Sequence, residues 1–279
     1  MYIKNLALMN YRNYESAKIT FSDGINILYG DNAQGKTNIL EAIYIAGTTK
    51  SHRGSKDKEI IRFGAEECHI RADIYKNQMN RRIDMHLKKG KSKGAAIDMI
   101  PIQKSSQLLG MMNMVFFSPE DLSIIKSGPA ERRNFMDMEL CQLDKIYVSH
   151  LSNYKKVLDQ RNNLLKQIGF DKKKMDILPV WNEQLVKYGI EIIKKRNHFI
   201  DLINEIIPAI HNNLTSGKEH LNLVYEKNVE EKDFSIVLDE KQEMDLRYQT
   251  TQIGPHRDDI AFLIDGMDVR KFGSQGQQR

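Results

Sequence analysis

The sequence predicts an α/β body that surrounds a helical insertion. Three observations lead to that class. A glycine-rich octet, GDNAQGKT at 30–37, lies between a compact apolar run and a short apolar helix. Strand-like segments recur from 67 to 102. From 140 to 214 the apolar residues then fall at steps of three and four.

Residues 2–9 alternate, with Ile3, Leu6 and Leu8 set against Lys4 and Asn5, and read as a strand. Residues 10–14 turn the chain, 17–21 form a second short strand, and Ser22-Asp23-Gly24 is turn chemistry. Residues 25–29 form a compact apolar run, as expected of a strand buried on both faces. After the octet, ILEAIYIAG reads as a helix ending near Gly47. HIRADIY, RRIDMHL and AAIDMIPI form a meander separated by KNQMN and KKGKSKG, and 114–117 is expected to be a further apolar strand ended by Ser118-Pro119. Leu140, Leu143, Tyr147, Leu151, Tyr154, Leu158, Leu165 and Ile168 predict one helix of about 35 residues, roughly 50 Å long. FDKKKMD breaks it, and a second periodic stretch from Trp181 to Leu214 folds back as an antiparallel hairpin. Strands return at 220–225, 259–264 and 267–270, the last two joined by Asp265-Gly266. The expected organisation is a first lobe over 1–130, a helical insertion over 131–215, and a return to the first lobe over 216–279.

An apolar fraction of 41% with 28% charged residues describes a soluble globular protein, and no run approaches a bilayer span. MYIKNLALMNYRNY lacks the basic start, long apolar run and cleavage site of a secretory signal. Cys68 and Cys141 are too isolated for a disulfide framework or a zinc site, so a reducing cytoplasm is expected. The net charge of +5 attracts phosphate only where it is clustered.

Gly30, Asp31, Asn32, Ala33, Gln34, Gly35, Lys36 and Thr37 fit G-x-x-x-x-G-K-[ST] at every fixed position, in the strand-to-helix context that the motif needs. Backbone N–H groups of the loop and the helix N-terminus should surround a β-phosphate. Lys36 would reach β- and γ-oxygens and Thr37 would bind Mg²⁺, so ATP and Mg²⁺ are the expected ligands. An acidic residue at the end of a second buried strand should accompany them. SIVLDE, 235–240, offers Asp239 and Glu240, but Phe234, Val237, Leu238, Lys241 and Met244 fit a charged amphipathic helix as well as a strand.

The phosphate loop, VFFSPEDLSIIKSGPAERRNFMD, TQIGPHRDD and FGSQGQQR, in this order, resemble the RecF family, bacterial recombination-repair ATPases related to SMC proteins and ABC ATPases. The resemblance runs from Met1 to Arg279 apart from the variable helical insertion. It implies an ABC/SMC-type phosphate-loop ATPase head, a mixed sheet plus antiparallel meander, with 1–130 and 216–279 as the ATPase lobe. It also implies that ATP is sandwiched between the phosphate loop of one chain and the Ser-x-Gly-Gln loop of another. Ser274, Gln275, Gly276 and Gln277 would serve the partner's nucleotide: Ser274 with a hydroxyl, Gly276 by close backbone approach, and a helix starting near Gln277 with its positive end. Two chains would close head to tail. The family's acidic strand follows that helix and this sequence ends before it, so a C-terminally truncated member with weak or no hydrolysis is expected. Asp239 and Glu240 lie on the wrong side of the loop. The implied function is ATP-dependent DNA binding in gap repair and replication restart. The dimer would close on duplex DNA, gapped DNA or junctions with single-stranded DNA, with RecR and RecO as partners and RecA loading downstream. A transport-type ATPase subunit shares the sandwich, but the long helical pair and GPHRDD stand against it. An SMC-like clasp with little hydrolysis is the third reading.

Several residues carry two readings. Glu120 sits where relatives sense γ-phosphate and Mg²⁺, or is an acidic first-turn residue after Pro119. Arg12 lies near nucleotide by resemblance only. Arg132 and Arg133 head the first long helix, as DNA contacts or plain surface. In GPHRDD, three ligands within four residues suit neither structural zinc nor an evident catalytic metal. The segment reads better as a strand entry that turns His256 or Arg257 to the dimer interface. Lys88, Lys89, Lys91 and Lys93, with Arg81 and Arg82, form the densest basic group, either a sequence-independent phosphate contact or a solvated turn. No aromatic residue interleaves with these lysines to stack bases.

Overall fold

The alternation at the start of the chain becomes β1 (Tyr2–Tyr11), paired antiparallel with β2 (Tyr14–Thr20) on one side and β3 (Glu67–Lys76) on the other. The meander continues through β4 (Met79–Lys88), β5 (Gly94–Ile97) and β6 (Ile100–Pro101), giving the order β2-β1-β3-β4-β5-β6. Two tight turns hold its register, Asn77-Gln78 and Asp98-Met99, each with both residues at positive φ. Opposite one another on β3 and β4 stand Cys68 and Leu87, Ile70 and Met85, and Ala72 and Ile83, all buried. The alternate positions face away from that core. Against the apolar face lies α1 (Lys36–Thr48), which buries Ile39, Ala42, Ile45 and Ala46. A short α2 (Asp57–Ile60) follows it.

The computed structural model describes residues 1–118, 124–274 and 276–277, in two compact units, Met1–Phe116 and Phe117–Arg279.

Two expected strands are absent. Residues 25–29 form no strand; Ile25 is 90% and Tyr29 91% exposed, and only Leu28 packs on the core. An apolar run becomes a doubly buried strand only when other strands pair with it, and no described strand hydrogen-bonds to this one. Residues 114–117 are also irregular; Met114 reaches the core while Val115 is exposed.

In the second unit the single long helix is corrected to two, α3 (Pro129–Leu143) and α4 (Lys145–Ile168). Asp144, between them, is extended, and its carboxylate accepts from the N–H groups of Ile146 and Tyr147 as the cap of α4. Next comes α5 (Leu178–Thr215), antiparallel to α4 as expected. Ile168 packs with Leu178, Arg161 bonds Asn182, and Tyr147 bonds Arg196, so each step back along α4 is a step forward along α5. The rest is β7 (Leu221–Glu226), α6 (Phe234–Glu240), α7 (Gln242–Tyr248), β8 (Asp259–Ile264), β9 (Met267–Asp268) and α8 (Val269–Phe272), with a sheet ordered β7-β8-β9. Of the two readings of SIVLDE the helix is the observed one: it is α6, with Asp239 accepting from Asn182. The expected strand 267–270 stops at Asp268, whose carboxylate caps α8 through the N–H of Arg270.

Candidate functional site

Apolar burial places α1, and the loop before it is held by backbone geometry. Gly30, Ala33 and Gly35 all have positive φ, and Gly35 (φ 99°) is the residue from which α1 starts. A Cβ on Gly35 would stand 2.6 Å from Tyr14 Oη and 2.9 Å from Asn13 Nδ2, so conformation and space both require glycine. Residues 30–34 are exposed, Lys36 is half-buried and Thr37 is exposed in the first turn. Lys36 Nζ donates to the carbonyl oxygens of Gly30 and Asp31, each at 2.6 Å, which keeps the ammonium over the loop. The result is an exposed backbone loop at a helix N-terminus with a lysine across it, an arrangement suited to polyphosphate.

Behind the loop, Glu41 of α1 is fully buried and accepts from Arg12 Nε (2.8 Å) and Nη2 (2.5 Å), Ser51 Oγ (2.5 Å) and Tyr11 Oη (3.1 Å). Burial opposes its ionisation, but the bonds from Arg12 and Ser51 outweigh it and hold the carboxyl below its usual range. Arg12 also donates to Ser55 Oγ and to the Glu59 carbonyl. Its guanidinium therefore braces α1. Sequence reasoning missed Glu41, although a single acid inside ILEAIYIAG was the signal. It also missed Asn13 and Tyr14, which wall the loop; Tyr14 Oη donates to the Gln34 carbonyl and Asn13 accepts from Asn38.

In the second unit, Ser274 and Gln277 cap each other. Gln277 N–H donates to Ser274 Oγ (3.2 Å), and Ser274 N–H donates to Gln277 Oε1 (2.8 Å). These are the two reciprocal hydrogen bonds of a capping box, and the described residues 276–277 form a turn. Gly276 is exposed, and Gln277 also bonds Glu219. Gln275 and Glu120 lie outside the described residues.

GPHRDD is tied inward. His256 Nε2 is 3.0 Å from the Thr251 carbonyl, and its Nδ1 is 2.7 Å from Tyr154 Oη. A carbonyl only accepts, so Nε2 carries the proton and Nδ1 accepts from the tyrosine. Burial pushes the imidazole down to about 4, so it is neutral at pH 7. Asp258 is fully buried against Arg196, Tyr225 Oη and the Asn228 N–H. Asp259 pairs with Arg132 (2.6 Å) and Arg270 (2.7 Å). The three candidate ligands do not converge, so the metal reading fails here. Of His256 and Arg257, only Arg257 is exposed.

Arg132 is not a surface arginine. It is 2% exposed, bonding Asp259 and the carbonyls of Ile124, Ile125 and Ser127, so the DNA-contact expectation is corrected for it. Arg133 is half-buried and donates to the Asp258 carbonyl. In the basic group, Lys88 pairs with Glu67, Lys89 with Glu66 and Lys93 with Asp57, while Arg81 pairs with Asp98 and Arg82 with Asp84. Lys91 has no ion pair among the described residues.

A family model described as AAA domain matches residues 5–252. A DNA replication and repair protein RecF from Lachnoclostridium phytofermentans is 59% identical over 279 residues, covering 100% of this chain and 78% of the relative. A solved structure described as the recombination mediator protein RecF-ATP in the RecFOR pathway superposes with a TM-score of 0.95 at 34% identity, covering 99% of this chain and 77% of its own. An Smc head bound to the C-winged helix domain of ScpA shares the fold, with a TM-score of 0.52 at 16% identity over 100% of this chain and 73% of the Smc chain.

Proposed function

The chain belongs to the RecF family of DNA replication and repair proteins, and from that membership we propose that it is an ATP-dependent recombination mediator whose loop 30–37 binds ATP. The observation that carries the reading is the left-handed conformation of Gly35, from which α1 starts behind an exposed loop over which the Lys36 ammonium is held. When bound, ATP supplies the negative charge for which these groups compete. Thr37 would hold Mg²⁺ through its exposed hydroxyl. Ser274, Gly276 and Gln277 serve the nucleotide of a second copy, so ATP favours a head-to-tail homodimer. DNA, as duplex, gapped duplex or junction with a single strand, is the macromolecular ligand, with RecR, RecO and RecA acting in the same process. Lys91, Lys88, Lys89, Lys93 and Arg133 are the candidate phosphate contacts, because a carboxylate partner can be exchanged for a phosphate. Arg12 acts on nucleotide through Glu41 and α1. No helix among the described residues is long and apolar enough to cross a membrane, and the reading is of a cytoplasmic protein.

Equilibrium binding of a fluorescent ATP analogue tests the loop. Lys36→Ala should weaken binding about 10-fold or more, since a charge-assisted hydrogen bond is worth about 1.5–3 kcal/mol, whereas Asp239→Ala should bind as the parent does. Equal binding by Lys36→Ala would sink the assignment. DNA binding should weaken steeply as salt rises, with a shallower slope when Lys91 is replaced by Ala.

A further inference from the structure

Away from the nucleotide loop, the solvent-facing side of the six-stranded sheet carries a group that the proposed function does not use. We propose that Glu67, His69 and His86 form a binding site for a transition-metal cation of the zinc type. Glu67 and His69 are two apart on β3 and share a face. The ladder sets His69 directly opposite His86 on β4, where facing Cβ atoms lie about 4.5–5.5 Å apart. The two imidazoles stack nearly parallel, with ring centres 4.3 Å apart and 6° between planes. One ligand atom from each of the three residues lies within 4.8 Å of the other two.

A tetrahedral cation with ligands at about 2.0–2.2 Å needs donor atoms about 3.3 Å apart. His86 Nε2 and Glu67 Oε2 already stand at 3.3 Å. Closing the third corner requires the stacked ring of His69 to tilt so that its in-plane lone pair converges with that of His86, and the His69 side chain is exposed. Across β5, Gly94 faces His86 and places no side chain over it, so solvent can enter as the fourth ligand. Two imidazoles and one carboxylate favour zinc-type ions over Mg²⁺ or Ca²⁺, which take oxygen ligands.

Charge around the site sets its affinity. Lys88, then His86, holds Glu67 below its ordinary range. Lys88 Nζ, 3.0 Å from the same Glu67 oxygen, competes with the cation. Arg71 and Asp84, the next residues on this face, largely cancel each other as an ion pair.

The test uses the untagged full chain with Zn²⁺ alone by calorimetry and Co²⁺ alone by visible absorption. A single saturable site is expected, with a tetrahedral cobalt spectrum and an affinity that falls in acid as protons compete for the imidazole nitrogens. His69→Ala and His86→Ala should each weaken binding by about 10-fold or more, whereas Lys88→Ala should tighten it. Circular dichroism without metal should be unchanged, since these side chains face solvent. Binding that survives both histidine substitutions, no saturable binding, or a Lys88→Ala variant as weak as the histidine variants would each overturn the proposal.

Discussion

Gly35 carries two separate demands, and substitution distinguishes them. Alanine there meets both a left-handed backbone, worth roughly 1–3 kcal/mol for a non-glycine residue, and a steric clash with Tyr14 and Asn13. At Gly30 (φ 138°) an added Cβ meets nothing within 4 Å, so only the backbone cost applies. Gly35→Ala should therefore lower the melting temperature and nucleotide affinity more than Gly30→Ala, as thermal denaturation and nucleotide titration would reveal. Equal effects would mean that Tyr14 and Asn13 yield freely. His256 gives a pH prediction. Its folded pKa, about 4, lies below the unfolded value near 6.5, so between these pH values the unfolded chain binds more protons. This contribution is complete above pH 6.5 and is lost as pH falls toward 4, by up to about 3 kcal/mol. Urea midpoints of the parent should fall from pH 7 to 5 more than those of His256→Asn. Parallel curves would contradict the assigned neutral state.

At the scale of elements, buried charge fastens the helical pair to the segment that follows it. Arg161 of α4 is fully buried and donates to Asn182 of α5, Asp245 of α7 and Thr251. Arg196 of α5 does the same for Asp137 of α3, the Pro255 carbonyl and Asp258. Removing one partner strands the other charge, so Asp245→Ala should cost about 3–5 kcal/mol in urea unfolding, while the apolar pair Arg161→Met with Asp245→Leu should cost much less. An Asp245→Ala variant as stable as the parent would show that water reaches the site. This network marks the limit of what the sequence reveals. Helix periodicity showed α4 and α5, alternation showed β1, β3 and β4, and G-x-x-x-x-G-K-[ST] located the loop, because each is a local pattern. Arg161 and Arg196 stand out in no local pattern, because their partners come from distant segments. Arg132 was misread for the same reason: its anion, Asp259, lies 127 residues further along. The run 25–29 failed differently, since its composition announces a strand while pairing depends on other backbone.

For the whole molecule, the two halves of the proposed nucleotide sandwich lie in different units, Lys36 within 1–116 and Ser274 within 117–279. In the proposed head-to-tail dimer each site would combine one copy's loop with the other's Ser274. Lys36→Ala alone then spoils both sites of a dimer, and Ser274→Ala alone does so as well. Mixed together, the two variants give heterodimers in which one site has both defects and the other has neither. ATP should therefore drive energy transfer between a donor-labelled Lys36→Ala chain and an acceptor-labelled Ser274→Ala chain, while pairs of the same variant respond weakly. If each chain completed its own site, every site in the mixture would retain a defect and ATP would bring no gain. Rescue on mixing would place Ser274 on the partner's nucleotide; no rescue, with the parent still dimerising on ATP, would assign the two halves to one chain.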